Sequence, residues 1–107
     1  MIVGFDFDGT LNSPTAKRFF SACSDSLNNF ELIIITNRME VDKEIVDVVK
    51  EIGLKEVKVY AIGAADYKSK AAFIADEDMK IDFFFENDES QIKSMSKIGI
   101  SCFRVPE

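Results

Sequence analysis

Ile2-Val3-Gly4-Phe5-Asp6-Phe7-Asp8-Gly9-Thr10-Leu11 begins as an apolar strand and ends in two acids. Ile2, Val3, Phe5 and Phe7 are β-type residues in a short run, which predicts a central strand. Asp6 and Asp8 stand where that run gives out. Residues two apart share one side of a pleated strand. Carboxylates that close repel unless a proton or a cation lies between them. A hard divalent cation such as Mg²⁺ suits oxygen ligands of this kind. Gly9 lets the chain turn sharply at little steric cost. A plain polar turn would account for Asp8-Gly9, but not for Asp6, an acid inside an apolar run.

Working outward, 107 residues predict one domain with a thin core. Hydrophobic residues make up 47% and charged residues 30%, the balance of a globular chain and not of a disordered one. No apolar run reaches the roughly 20 residues of a membrane helix, so no membrane contact is expected. No basic stretch and apolar segment precede the strand, so no signal peptide is expected either. The net charge of −6 argues against nonspecific nucleic-acid binding, which depends on Lys and Arg at phosphates. It leaves room for a phosphorylated substrate, because a metal supplies local positive charge. Cys23 and Cys102 lie far apart in apolar surroundings and read as reduced core thiols of a cytoplasmic protein. With no His in the chain, Ser-His-Asp and Cys-His mechanisms and His-based zinc sites are excluded.

The remaining segments alternate. Asn12-Ser13-Pro14-Thr15 turns into a helix whose apolar face is Ala16, Phe19, Phe20, Cys23 and Leu27. Leu32-Ile33-Ile34-Ile35 predicts a strand buried on both faces, ending in Thr36-Asn37-Arg38. A second helix places Val41, Ile45, Val48, Val49 and Ile52 inward and stops at Gly53. Val57, Val59 and Ala61 mark a third strand, followed by the loop Gly63-Ala64-Ala65-Asp66. Tyr67-Lys68-Ser69-Lys70 opens a short helix through Ala75, and Ile81 to Phe85 form a fourth strand ending in Glu86-Asn87-Asp88-Glu89. Asp88 and Gln91 have capping-box spacing. The last helix shows Ile92, Met95 and Ile98 inward, and Ile100 to Val105 predict an edge strand that Pro106 ends. A β-α alternation of this kind predicts a three-layer αβα, Rossmann-like parallel sheet, here in the order 3-2-1-4-5. Sites in such sheets lie at the carboxyl ends of the strands. That edge gathers Asp6 and Asp8, Thr36 and Asn37, Glu86, Asn87 and Asp88, and a lysine, Lys68 or Lys70. Acids, a hydroxyl, amides and a lysine together suit metal-assisted phosphoryl transfer.

Phe5-Asp6-Phe7-Asp8-Gly9-Thr10-Leu11 resembles the first motif of the haloacid dehalogenase-like (HAD) phosphohydrolases, and the likeness extends over nearly the whole chain. The resemblance implies that Asp6 is a nucleophile forming an aspartyl-phosphate and that Asp8 is the general acid and base. It implies that Thr36, with nearby backbone N–H groups including Gly9 and the Asn37 segment, holds the phosphoryl oxygens. It makes a lysine offset the charge, with the spacing to Phe73-Ile74 favouring Lys70 over Lys68. It implies Mg²⁺ held by Asp6, by the backbone carbonyl of Asp8 and by the fourth strand end. There the usual pair of aspartates is replaced by Glu86-Asn87, followed by Asp88. By resemblance to Asp-Asn relatives, Asn87 is the ligand, Glu86 orients the lysine or a metal-bound water, and Asp88 is the fallback.

No stretch is long enough for the cap domain that many HAD relatives carry, so the site is expected to be open unless a second subunit covers it. The expected partner is a phosphorylated small molecule or nucleotide, with a phosphorylated macromolecule as the other option. The alternative to a phosphatase is a module that binds phosphate or metal with little turnover. A two-component receiver domain fits less well, because Gly63-Ala64-Ala65 stands where its phosphorylated Asp belongs.

Overall fold

The strands are β1 (Ile2–Phe5), β2 (Glu31–Thr36), β3 (Lys58–Ala61), β4 (Phe83–Glu86) and β5 (Ser101–Arg104). All pair in parallel, in the order β3-β2-β1-β4-β5, as the alternation predicted. This is a computed structural model, and it describes residues 1–105.

The helices α1 (Pro14–Ala22), α2 (Ser24–Leu27), α3 (Lys43–Ile52), α4 (Lys70–Asp76) and α5 (Glu89–Lys97) divide between the two faces. The division follows the pleat of β2. Leu32 and Ile34 join Phe20, Leu27, Ile45, Val48 and Ile52 in one core, so that face carries α1, α2 and α3. Ile33 and Ile35 join Phe73, Ile74 and Met95 in the other, beneath α4 and α5. A strand covered on both faces needs no polar alternation, hence the unbroken Leu-Ile-Ile-Ile. Gly4 has a steric reason to lack a side chain. It pairs with Phe84, whose ring occupies the space a Cβ at Gly4 would need. On the other face Phe5 stacks on Phe85 at 5.4 Å and meets Phe20 edge-on at 5.3 Å.

Several expectations need correction. The β1 ladder stops at Phe5, and residues 7–11 curl into a tight turn in which Asp8 is extended and Gly9 has φ +79°. The first predicted helix is two helices, interrupted at Cys23 (φ −109°, ψ 17°), where the Ser24 hydroxyl bonds the Ser21 carbonyl. Phe19 is 62% exposed, because the core face of α1 is set by Ala16 and Phe20 and Phe19 lies beside it. Val41 precedes the Asp42 N-cap of α3 and is exposed, and Ile98 follows the last turn of α5 and is exposed. β4 begins at Phe83, because Asp82 bonds the start of β1 instead of joining the ladder. Cys23 and Cys102 are free, and both are half-buried, not fully in the core. The role given to Pro106 lies outside the described residues. Gly53 does close α3 in the left-handed conformation (φ 90°). Between β1 and α1 there is only the turn, and between β3 and β4 only α4 with its connections, so neither gap holds a cap. Among the described residues no helix is long and apolar enough to cross a membrane.

Candidate active site at the carboxyl ends of the strands

β1 lies between β2 and β4, so the residues just beyond it meet the ends of both neighbours. Asp6 is held there by its N–H, which donates to the Phe85 carbonyl at 2.8 Å. Its side chain is 9% exposed. One carboxylate oxygen accepts from Lys70 Nζ at 2.6 Å, and the other takes a long contact of 3.4 Å from the Thr10 hydroxyl. Lys70 is the first residue of α4, which Ser69 caps by accepting the Ala72 N–H. The helix start points the long side chain inward, where it is 2% exposed. Its ammonium also donates to Glu86 Oε2 at 2.6 Å.

Glu86 is equally buried, and its second oxygen accepts the N–H groups of Asn87 (3.1 Å) and Asp88 (3.2 Å). Two acids thus share one ammonium in the dry interior. Burial first, and then the Asp6 charge, push the Glu86 carboxyl up to about 7 against the pull of Lys70. Gln91, expected to turn back toward Asp88, instead accepts the Lys70 backbone N–H at 3.0 Å. The capping box is therefore only half formed. Asp88 caps α5 by accepting from Ser90 and Gln91, and bonding to Ser90 keeps its carboxyl below the ordinary range.

Asp8 turns to a different partner. Arg38 Nε donates to one of its oxygens at 3.0 Å and Nη2 to the other at 2.7 Å, a fork-on-fork pair. Those bonds hold the Asp8 carboxyl below its usual value, and they raise the guanidinium's pKa. The same guanidinium reaches Asp42 at 2.7 Å and Glu44 at 2.9 Å, and its carbon lies 4.8 Å from the centre of the Phe7 ring. Asp6 and Asp8 thus face different side chains in this structure. Each acid has a cationic side chain of its own.

Asp6, Asp8, Asn37, Lys70, Glu86, Asn87, Asp88 and Gln91 line one pocket of about 190 Å³. Thr36 is buried behind it, its hydroxyl oxygen accepting the Arg38 N–H at 3.2 Å. Neither Thr36 nor Asn37 caps α3, since Asp42 does. Of the two lysines, Lys70 is in the pocket, and Lys68 is exposed and does not line it. The Gly9 N–H is taken by Asn12 Oδ1 at 2.9 Å, so in this conformation it does not face a phosphate.

Two contributors were missed in the sequence. Arg38 appeared only as the tail of Thr36-Asn37-Arg38; its signal was a cation next to the hydroxyl at the end of a buried strand. Gly63 is the other. A Cβ there would strike the carbonyls of Asn37 and Arg38, and its N–H donates to Arg38 O at 2.9 Å, so it supports the loop after β2.

Among the described residues no three Cys, Asp or Glu side chains converge as a cation site. Glu86 is bonded to Lys70 and to two N–H groups, and Asp88 to the start of α5. Oxygen-bearing groups of Asp6, Asp8 and Asn87 stand around one pocket. That set fits Mg²⁺, which commonly takes one or two carboxylates and keeps several waters.

No family model matches the chain, and no curated protein is similar to it. Among solved structures, it is similar to the 1.44 Å crystal structure of an uncharacterized protein from Corynebacterium glutamicum ATCC 13032 Kitasato. The TM-score is 0.67 at 13% identity, over 99% of this chain and 85% of that one, a likeness of fold.

Proposed function

We propose that the chain is a Mg²⁺-dependent phosphatase of the capless HAD type, which hydrolyses a phosphate monoester through an aspartyl-phosphate on Asp6. The observation that carries this is Asp6 itself: a buried carboxylate at the end of the central strand, 2.6 Å from a buried ammonium, opening on a pocket with a second acid. In the first step an Asp6 oxygen attacks phosphorus, the bond to the leaving oxygen breaks, and Asp8 gives that oxygen a proton. In the second, Asp8 takes a proton from a water, which attacks phosphorus and releases phosphate and the Asp6 carboxylate. Lys70 offsets the charge of carboxylate and phosphoryl group together. Thr36, buried behind the pocket, would donate its O–H to a phosphoryl oxygen, with Asn37 beside it. Asp6, the Asp8 carbonyl and Asn87 would hold Mg²⁺, whose part is to polarise the phosphoryl oxygens and spread their charge. Glu86 positions Lys70.

Phosphorylated small molecules and nucleotides are the favoured substrates. The uncapped pocket also leaves room for a phosphorylated macromolecule, or for a second subunit over the site. A cytoplasmic setting suits the two unpaired thiols. The pairing of Asp8 with Arg38 favours a second reading, a phosphate- or metal-binding module with little turnover. Hydrolysis of p-nitrophenyl phosphate and a panel of phosphate esters, with Mg²⁺ or with EDTA, separates the two. We expect Mg²⁺-dependent release of phosphate, lost in Asp6→Asn. Activity that survives Asp6→Asn refutes the nucleophile, and an inactive parent supports the binding module.

A further inference from the structure

Arg38, paired with the pocket residue Asp8, is held more firmly than a surface arginine needs to be. Asp42 holds Nη1 at 2.7 Å, Glu44 holds Nη2 at 2.9 Å, and the Phe7 ring lies 4.8 Å from the guanidinium carbon. Asp42 is itself fixed as the N-cap of α3, accepting the Ile45 N–H at 3.1 Å, and Glu44 belongs to the first turn of that helix. These anchors leave the Nε–Nη2 edge facing Asp8, which fills it with both carboxylate oxygens. Asp8 is the more exposed partner, with a largely exposed side chain next to Gly9.

We propose, resting on the phosphatase reading above, that Arg38 is the specificity-determining residue of this pocket. Its Nε–Nη2 edge takes a second oxyanion of the substrate, a carboxylate or phosphate close to the scissile ester, in the place Asp8 occupies here. Three physical points converge on this. The edge already binds a carboxylate through two parallel hydrogen bonds, so another planar oxyanion meets the same geometry. The exchange replaces one anion by another and leaves the charge balance of Arg38 with Asp42 and Glu44 unchanged. Finally, Asp8 cannot pass a proton to a leaving oxygen while both its oxygens accept from Arg38; a substrate that displaces it sets it free for that task. An ester without the second anion leaves Asp8 paired.

The test compares matched substrates: 2-phosphoglycolate and the phosphate ester of 3-hydroxypropionate, each against its uncharged carboxamide, with Mg²⁺ present. In the parent protein the better acid should exceed its amide in kcat/KM by roughly 10- to 100-fold, the range expected of hydrogen bonds to charged groups. In Arg38→Lys, which keeps the charge and loses the fork, the ratio should fall toward one, and in Arg38→Gln likewise. Because the ratio is internal to each variant, partial unfolding lowers both rates together and does not mimic the effect. A parent ratio near one for both pairs, or a ratio that survives Arg38→Lys, overturns the inference while leaving the phosphatase reading intact. Failure of the parent to hydrolyse any of the four esters overturns both.

Discussion

Replacing Lys70 with Met tests the buried charge cluster most directly. The ammonium sits 2.6 Å from an oxygen of Asp6 and 2.6 Å from an oxygen of Glu86, with all three side chains buried. Met fills much of the same volume and removes the cation the two acids share. Breaking a buried ion pair by deleting one partner costs about 3–5 kcal/mol, because the remaining charge is left uncompensated. Against the ~5–15 kcal/mol that folds an ordinary domain, such a loss is severe. It should also depend on pH. With Lys70 present, the Glu86 carboxyl is already pushed up to about 7, and without it the carboxyl must rise further. At pH 5 Glu86 is protonated, and a neutral Glu86 facing Asp6 is tolerable. At pH 8 it is ionised in the parent protein, where the ammonium matters most. Each further unit by which Glu86 rises in the variant adds ~1.4 kcal/mol to the difference between the two pH values. Urea unfolding of parent and variant from pH 5 to pH 8 measures this. A loss below ~1 kcal/mol at pH 8, or one that does not change with pH, would falsify the reasoning, since surface ion pairs alone give that little.

The parent protein has a pH profile of its own. A carboxyl at about 7 when folded, against the ordinary 4.5, binds more protons in the native state, so stability falls as pH rises from about 4.5 through 7. The fall amounts to ~3 kcal/mol at 1.36 kcal/mol per unit, and a urea-unfolding series that stayed flat across that window would contradict it. Below the window the lowered carboxyls of Asp8 and Asp88 act in the opposite sense, their contribution being lost as acid protonates them. Gly63→Ala pushes a methyl into the carbonyls of Asn37 and Arg38, so we expect a loss of roughly 1–3 kcal/mol, with weaker phosphate binding as the loop shifts. An unchanged melting temperature would remove Gly63 from the account. Ser69→Ala deletes the α4 cap at a cost of about 1 kcal/mol, and hydrogen exchange at Ala72 should rise if that cap matters.

The fold was more legible than the site. Continuous apolar residues in Leu32–Ile35 and in the first strand announced strands covered on both sides, and the helices between them required parallel crossovers. What escaped notice lies one step from that periodicity. Phe19 and Ile98 fit a helical spacing, but spacing does not say where a sheet's cover ends. At the site, Asp6 could be found because an acid in an apolar run is locally anomalous, whereas Lys70 was preferred over Lys68 only by resemblance, from its spacing to Phe73-Ile74. The commitment of Glu86 and Asp88 to Lys70 and α5 is a matter of side-chain direction, which residue order does not reveal. Arg38 was hidden for another reason. An arginine after a strand is ordinary until four acidic and aromatic partners are brought around it.

The central place of β1 has a consequence for how the chain is made. Asp6 leaves the ribosome 64 residues ahead of the lysine that neutralises it, and β4, which supplies its other wall, comes later still. During synthesis β1 can pair with β2 while its far edge stays open and its acid stays in water. The pocket is therefore a late event of biogenesis. A nascent chain stalled before β4 emerges should carry the first two strands without the finished pocket.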